Sequence, residues 1–510
     1  MAAVNGIAGG GTVAEFEKRL EANPFDYDAY AGLVTALREK GEQAAYLRSV
    51  REKFADTYPL SSQLWLEWIR DEREVTEEDS SIGSDGKASK QLVGKLFERA
   101  VADYVSFDLW LEYCQWVCGA VASFELVREV FERAVTAVGL QADKGALLWD
   151  AYREFELAVL SALEDEAAAQ QQRHRIRKLF HRQLGIPLVD MADSMEEYVQ
   201  FLDGGDVEPQ VKAAYARAQK QLSLLAELER KVDAAEPPRL KEYMSYIEFE
   251  KKGKDARRVR LAFERAIADG NCLNSDLWQS YIGFLQKELN VPGVLPSVFE
   301  RAVRNCPWSV DLWKGYLLVK ERQAAVQEDK EAEWKEVDAV FERAVQNYRS
   351  ADEGCDLWLA YIYAQRRRRP PEELGAVGEQ FSKAAESLKS VFGFYDWDPK
   401  CSFRRKWAHF AALKLGDVEK AREIWEEIMK SGQGPFASAW IDYFNMERRF
   451  GTAQKCRSLL YKAVNSASDD PTVVCDALVQ FEQEEGNLEQ LEVAQTKVAQ
   501  QMERLQLRQL

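Results

Sequence analysis

The 510-residue sequence has little of what interrupts helices or cross-links small domains. Glycine occurs 29 times and proline 14 times, and the eight cysteines lack the spacing of a disulfide framework, which favours a reducing compartment. No run approaches the 18 apolar residues of a membrane span. The first residues lack the basic and apolar regions of a signal peptide. We therefore expect a helical chain that neither enters a membrane nor follows that secretory route.

Positive charge is also in short supply. The chain has 68 basic and 85 acidic residues, for a net charge of -17. A surface this acidic repels phosphate backbones, so we expect little direct RNA binding. Tryptophan, in contrast, is abundant at 14 residues, which indicates an unusual need for large flat side chains between helices.

Internal repetition accounts for the tryptophans. The tetrapeptide FERA recurs five times, beginning at Phe97, Phe131, Phe263, Phe299 and Phe341. A second element, in which Trp is followed three residues later by an aromatic residue, contains Trp65, Trp110, Trp149, Trp278, Trp313, Trp358, Trp407 and Trp440. Each element places its apolar residues on one helical face. The pattern predicts repeated helical hairpins in which helix A carries the Trp and helix B the FERA sequence.

The spacing gives about twelve such hairpins. Hairpins that cannot bury their apolar faces alone must stack, so we predict an all-α fold, an α-solenoid of helical repeats in two halves. The repeat signal is weakest between Leu184 and Leu240, where we place the division. The predicted domains are a disordered tail (1–13), an N-terminal half (14–236), a C-terminal half (237–487) and a terminal helix (488–510).

The recurring aromatic and charged residues are interpreted as structural. Trp and Tyr on one face of every repeat are expected to form the core between helices. The Glu and Arg of FERA, such as Glu264 and Arg265, are expected to form ion pairs between repeats. The A-helix residues Glu156 and Glu250 are expected to take part in the same ion pairs. No carboxylate pair is distinguished from the rest, so no catalytic residues are predicted.

Two basic runs stand out from the acidic background. In RHRIRKLFHR, which starts at Arg173, the apolar residues form a core face and leave the basic residues to solvent or to a partner. The second run, RRRR, ends a predicted A helix and complements its dipole, binds a partner or serves nuclear import. The candidate partner-binding residues are Arg173, Arg177, Lys178, Arg366, Arg367, Arg368 and Arg369.

Metal and cofactor sites are not predicted. His174 and His181 are seven residues apart, or about 10 Å along a helix, too far to share a metal ion. Cys114 and Cys118 lie one turn apart without the second ligand pair that zinc needs. An enzyme hypothesis, a helical-repeat subunit like the prenyltransferase α chain, is disfavoured because a repeated Asn-Tyr-x-x-Trp-x-x-Arg signature is absent.

The repeat itself resembles a known family. The sequences LWDAYREFE from Leu148, YIEFE ending at Glu250 and the Ala-Arg-x-x-x-x-x-Phe-Glu-Arg-Ala pattern from Ala256 are similar to the half-a-TPR (HAT) repeat. The resemblance implies a TPR-like α-solenoid that acts as a scaffold in RNA processing. Variable repeat length and the Trp in helix A separate it from the regular tetratricopeptide pattern.

Non-repetitive stretches narrow the resemblance to one branch of the family. These are KGALLWDAYREFE, LFHRQLGIPLVDM, AEPPRLKEYMSYIEFE and NCPWSVDLWKGYLL, which resemble a factor of U4/U6 snRNP recycling. The resemblance implies a non-enzymatic scaffold for snRNP assembly and splicing. The implied partners are spliceosomal proteins and ubiquitin-specific proteases, in the nucleus and also the cytoplasm. RNA-recognition motifs implied beyond the repeats do not occur here, so we expect the repeat region of a longer protein or a short relative.

The resemblance also implies a homodimer made by the C-terminal half. The last repeat supports this modestly, because its apolar residues lack a following repeat to cover them. The candidate dimer region contains Trp440, Tyr443, Cys475, Leu478 and Phe481. The alternative is that the helix from Leu488 folds back as a cap. An alternative function is a HAT scaffold of another complex, such as mRNA 3'-end cleavage.

Overall fold

The structure is a computed structural model that describes residues 11–41, 44–81, 87–121, 123–288, 293–327, 329–394 and 396–509. Every regular element within these ranges is helical, as predicted. The chain divides into two compact units, Met1–Cys306 and Pro307–Leu510.

The described helices of the first unit are α1 (Val13–Ala22), α2 (Tyr27–Lys40), α3 (Ala44–Thr57), α4 (Ser62–Ser81), α5 (Lys87–Asp103), α6 (Phe107–Ala120), α7 (Phe124–Ala137), α8 (Gly145–Ser161), α9 (Glu166–Gln183), α10 (Met191–Phe201), α11 (Pro209–Ala234), α12 (Leu240–Gly253), α13 (Ala256–Ala266), α14 (Ser275–Glu288) and α15 (Val294–Asn305). Those of the second unit are α16 (Val310–Val326), α17 (Lys330–Ala344), α18 (Ala351–Arg368), α19 (Leu374–Phe392), α20 (Ser402–Phe410), α21 (Val418–Ile428), α22 (Ala437–Phe450), α23 (Ala453–Ser466), α24 (Pro471–Glu485) and α25 (Leu488–Gln509). Short tighter or wider turns extend four of these ends: Ile267–Asn271, Pro371–Glu373, Ala411–Leu415 and Met429–Gln433.

From α2 onward the helices alternate as A and B. Within the described ranges this gives twelve pairs, α2–α3 through α24–α25, which confirms the predicted number. The pair α10–α11, where the repeat signal is weakest, is irregular because α11 is one long helix of 26 residues. Several helices begin at an Asp, Ser or Thr whose side chain accepts a backbone N–H of the first turn. These N-caps are Asp26, Ser106, Asp165, Asp255, Asp329, Ser350, Asp417 and Thr452.

Ring stacking joins several of the B helices to the next A helix. The centroids of Phe97 and Tyr113 are 4.8 Å apart, and those of Phe131 and Tyr152 are 4.7 Å apart. The planes in these two pairs differ by only 6° and 3°. The stack recurs in Phe263–Tyr281, Phe341–Tyr361 and Trp425–Tyr443. The Phe of FERA and the aromatic residue after Trp are therefore contact partners across successive repeats.

The A-helix tryptophans are core residues, as predicted. The indoles of Trp65, Trp110, Trp149, Trp278, Trp313, Trp358 and Trp440 are buried, and that of Trp407 is half-buried. In three repeats the indole N–H donates to a carbonyl oxygen six residues earlier, in the loop that precedes the helix. These bonds are Trp278 to Cys272, Trp313 to Pro307 and Trp440 to Gly434. Each such Trp thus packs between helices and also fixes the loop before its own helix.

The Arg of FERA lies between the Trp of its own repeat and the Glu of the repeat before. Arg133 stands over Trp110, 5.5 Å from the ring centroid, and donates to Glu98 at 2.8 and 2.7 Å. Tyr113 donates to the same carboxylate at 2.6 Å. The Trp–Arg–Glu arrangement recurs in Trp65–Arg99–Glu52, Trp149–Arg182–Glu132 and Trp278–Arg301–Glu264. This confirms that the recurring Glu and Arg join repeats.

The innermost of these carboxylates is fully enclosed by protein. Burial alone would raise the pKa of Glu264, but the charge of Arg301 and the hydrogen bonds from Arg301 and Tyr281 outweigh burial and lower that pKa. Glu264 therefore stays ionised against Arg301.

A second set of ion pairs connects the start of a B helix to an A helix. Arg128 of α7 donates to both oxygens of the buried Glu156 of α8, at 2.8 and 2.9 Å. Equivalent pairs between successive repeats are Arg48–Glu72, Arg422–Glu447 and Arg457–Glu482. Arg258 and Glu250 form the same contact within one repeat. Two independent sets of charges thus set the register of stacking.

The last helix of the first unit contacts the unit's beginning. Arg304 on α15 donates to the carbonyl oxygen of Ala55 on α3 at 2.6 Å and to Asp103 on α5 at 2.8 Å. The Tyr104 hydroxyl donates to the side-chain oxygen of Asn305. The first unit therefore closes on itself through polar contacts between residues about two hundred positions apart.

The boundary between the compact units differs from the predicted division between residues 236 and 237. That division falls inside the first unit, between α11 and α12. The charge pairing continues across it, because Glu229 of α11 accepts from Arg265 of α13 at 2.7 and 2.8 Å and from Tyr246 of α12 at 3.0 Å. Of the predicted tail, residues 1–10 lie outside the described part and α1 already begins at Val13. The predicted terminal helix corresponds to α25.

Replacing a core tryptophan should destabilise the second unit. We expect Trp313→Ala or Trp358→Ala to lower the free energy of unfolding by about 3 to 5 kcal/mol, because each leaves a large cavity. Urea denaturation followed by circular dichroism measures this, with Leu318→Ala, an exposed position on the same helix as Trp313, as the control. A tryptophan variant that unfolds together with the parent protein contradicts the core assignment.

Removing the charge of Glu264 should destabilise the first unit. Glu264→Gln leaves the buried Arg301 guanidinium without a counter-charge, and removing one partner of a buried pair costs about 3 to 5 kcal/mol. The matched control is Glu227→Gln, which breaks an exposed pair with Lys231 and should leave the melting temperature unchanged. Equal melting temperatures for the two variants would mean that the Glu264–Arg301 pair does not hold the repeats together.

Candidate protein-interaction surfaces

The predicted basic patch on α9 is exposed. Arg173, Arg177 and Lys178 lie on the solvent side of the helix, while Ile176 is fully buried on the other. Arg173 pairs with Glu166 at 2.9 Å. No ion pair of Arg177 or Lys178 is found within the described part of the chain. This face can therefore meet a partner without breaking a structural contact of the latter two residues.

The arginine run at the end of α18 is mostly committed to the fold. Arg367 donates to both oxygens of Glu321 at 2.6 Å, and Arg369 donates to the side chain of Gln365. Arg368 stands over the ring of Trp334, 5.0 Å from its centroid. Arg366 is exposed. Three of the four arginines in this run thus have structural contacts, and no such contact of Arg366 is found among the described residues.

The residues proposed for the dimer region are buried within the second unit. Trp440, Tyr443, Cys475, Leu478 and Phe481 all belong to its hydrophobic core. The terminal helix α25 packs against α24, with Ala494 and Val498 in the same cluster. α25 therefore acts as the B helix of the last pair and supplies the cover that the sequence pattern lacked. A dimer surface in this half must use other side chains.

His181, a titratable group that could suggest catalysis, has structural partners. His181 lies 2.7 Å from the Tyr198 hydroxyl and 3.5 Å from the carboxylate of Glu208.

Over the ranges that the structure describes, no cluster of His, Cys, Asp or Glu side chains is arranged to hold a metal ion. Within the same ranges, no helix has both the length and the apolar character needed to cross a bilayer.

Sequence patterns missed two depressions in the surface. A groove of about 970 Å³ runs along α5, α6 and α7, with Trp116, Val117 and Leu126 in its lining. A pocket of about 470 Å³ in the second unit is lined by Lys406, His409 and other residues of α18, α20, α21 and α22. The lining comes from four separate segments, so it forms no continuous motif in the sequence. The signal that the sequence does contain is the recurrence of cationic residues on the successive A helices α18, α20 and α22.

Comparison with known proteins matches the repeats on both sides of α11. Residues 14–200 match the family model of the PRP39 N-terminal HAT repeat. Residues 270–389 match that of the pre-mRNA-splicing factor Syf1/CNRKL1 N-terminal HAT repeat.

Individual relatives extend the similarity to nearly the whole chain. The spliceosome associated factor 3, U4/U6 recycling protein, of Homo sapiens is 37% identical over 497 residues, which cover 95% of this chain and 49% of that protein. Pre-mRNA-processing factor 39 of Schizosaccharomyces pombe is 23% identical over 85% of this chain and 63% of its own length. The mRNA 3'-end-processing protein RNA14 of Yarrowia lipolytica is 25% identical over 37% of this chain and 23% of its own length.

The chain spans about half the length of the first of these relatives. The similarity, the paired A and B helices and the recurring Trp and FERA contacts agree with the resemblance found in the sequence. The chain belongs to the HAT-repeat family.

Proposed function

We propose that the chain is a non-enzymatic HAT-repeat scaffold for protein–protein interaction in U4/U6 snRNP assembly and recycling during pre-mRNA splicing. The observation that carries this proposal is the 37% identity, over 95% of the chain, to a protein named for U4/U6 recycling. The scaffold role is supported by the fold, because stacked repeats expose an extended surface built from many helices. Nuclear localisation follows from the same proposal.

The use of charged residues supports a scaffold rather than an enzyme. Glu156, Glu250 and Glu264 are buried carboxylates of the kind that active sites use, but each forms an ion pair with an arginine between packed helices. A carboxylate fixed in such a pair is not positioned for proton transfer to a substrate.

The alternative is a scaffold for another RNA-processing complex, such as the one for mRNA 3'-end cleavage. The similarity to the 3'-end-processing relative covers 37% of the chain, against 95% for the U4/U6 recycling protein. Coverage of both units by the latter favours the splicing assignment. Ubiquitin-specific proteases are further proposed partners, and RNA held directly by this chain is not, given a net charge of -17.

The tagged chain, purified from nuclear extract of its own organism, tests this function. We expect mass spectrometry to find U4/U6 snRNP proteins enriched over a tagged HAT protein of 3'-end processing used as the control. Enrichment of 3'-end cleavage factors instead would reverse the assignment.

A homodimer through the C-terminal half is part of the proposal. Exposed apolar side chains on the last helix pair support it, namely Val473 on α24 and Leu488 and Val493 on α25. Burying such side chains against a second copy removes apolar surface from water. The surface differs from the one expected from the sequence, since the earlier candidates are core residues.

Charges placed on this surface should dissociate the dimer. We expect the wild-type chain to sediment as a dimer at micromolar concentration and the Leu488→Glu/Val493→Glu variant as a monomer, because a dimer interface would then bury unpaired carboxylates. Val326→Glu, at an exposed apolar position on α16, is the matched control and should remain dimeric. A monomeric wild-type chain, or a dimeric double variant, contradicts this dimer surface.

A further inference from the structure

The pocket of the second unit combines aromatic and cationic side chains. Trp425 of α21 and Phe450 of α22 contribute apolar surface, while Arg405 of α20 and Arg449 of α22 contribute guanidinium groups. Its volume of about 470 Å³ lies within the range of sites that enclose a small ligand or a few side chains. The lining is therefore suited to a ligand that carries both an apolar group and a negative charge.

Most positive charge in the pocket is not used by the fold. Lys406 and Arg449 are exposed, and no acceptor for them is found within the described residues. Asp442 is the one acidic residue in the lining, and it already accepts from Arg405 at 3.4 Å. This contrasts with the stacking register, where each arginine meets a carboxylate. The pocket thus has an excess of cations in a chain whose net charge is -17.

Arg405 has an unmet hydrogen-bonding group. Its two terminal nitrogens donate to Asp442 and, at 3.1 Å, to the side-chain oxygen of Gln433. The Nε–H is buried and has no acceptor among the residues that the structure describes. A buried donor without an acceptor is unfavourable, so the hydrogen-bonding capacity of this guanidinium is not fully met among the described residues.

The cationic surface extends beyond the pocket along α18. Arg366 lies three residues after Tyr363, which lines the pocket, so both occupy one face of the helix. Arg366 is an exposed member of the arginine run, and no structural contact of its side chain is found among the described residues. A ligand that leaves the pocket along this helix meets a further positive charge.

The charge of the whole chain decides between two classes of anion. An RNA strand carries a negative charge at every phosphate, so a protein with a net charge of -17 repels each of its nucleotides. A peptide with a few carboxylates experiences this repulsion only at those groups, and it gains from apolar contact with Trp425 and Phe450. Both considerations favour a peptide.

We propose that this pocket binds an acidic peptide segment in which Asp or Glu residues flank an aromatic or aliphatic side chain. The apolar side chain packs on the aromatic lining, and the carboxylates meet Lys406, His409, Arg449 and Arg366. The proposal deepens the proposed scaffold function, since it rests on a protein partner and names the chemistry of one docking motif.

Selection from a display library of short random peptides tests the pocket with the full chain. The library is selected against the wild-type chain, against Lys406→Glu/Arg449→Glu, and against Lys430→Glu/Lys462→Glu. The last variant is a matched control, because it makes the same charge change at exposed positions of the second unit outside the pocket. We expect acidic peptides with an apolar residue from the wild-type and control selections, and their loss from the pocket variant.

The enriched peptide and a single-stranded oligouridine RNA are then compared by fluorescence anisotropy. Peptide affinity should fall by about tenfold or more in the pocket variant, and should fall in the wild-type chain as salt is raised. Hydrogen exchange should show protection of α20 and α22 on binding. No enrichment of acidic peptides, equal affinity in the pocket variant, or RNA binding that depends on Lys406 and Arg449 overturns the proposal.

Sedimentation separates this proposal from those on assembly. If Lys406→Glu/Arg449→Glu dissociates a dimer while peptides bind neither protein, the pocket is a contact between copies and the peptide proposal fails. If the pocket variant loses peptides but retains snRNP proteins in the pull-down, the docking motif is confirmed and the scaffold has further contacts. If the wild-type chain does not enrich snRNP proteins in the pull-down, the proposed function is contradicted. The peptide affinity measured on the purified chain does not depend on that result.

Discussion

A guanidinium held between an indole ring and the carboxylate of the preceding repeat sets how the helix pairs of the first unit stack. Arg133, for example, needs Trp110 from its own repeat and Glu98 from the one before. Where this arrangement is buried, as at Glu264 and Arg301, separating two repeats would leave both charges without a counter-charge. The polar contacts therefore tie the apolar stacking of Phe and Tyr to one register, which hydrophobic burial alone would not specify.

The sequence was informative about the helices because every repeat reports the same contacts again. Trp110 and Tyr113 share a helical face, and the Phe of FERA recurs where the next Tyr needs a stacking partner. Repetition also revealed the number of pairs. The closure of the first unit left no such signal, because Arg304 meets Ala55 and Asp103 across more than two hundred residues and these contacts occur once. The boundary between the two compact units, after Cys306, left no repeated signal either.

Candidate surfaces could be predicted only where their residues are contiguous in the sequence. The arginine run at the end of α18 is evident in the sequence, but its contacts are not. Glu321 of α16 binds Arg367, and Trp334 of α17 packs against Arg368. The cationic pocket is the converse case, since its lining is assembled from four helices and forms no run. For the last repeat the sequence left two alternatives open, a second chain or a cap by the helix from Leu488, and Ala494 of α25 packs in the core as a cap does.

The contact of α15 with α3 and α5 changes how the first unit can come apart. A linear repeat array frays from its ends, where a terminal repeat has one neighbour and opens at the cost of a single interface. In the first unit, Arg304 and Asn305 give the last repeat a second neighbour near the beginning of the chain. When any one interface opens, each repeat beside it is still held by its interface with the repeat on the other side. Such a unit should lose its structure in a single cooperative step rather than by progressive unravelling from one terminus.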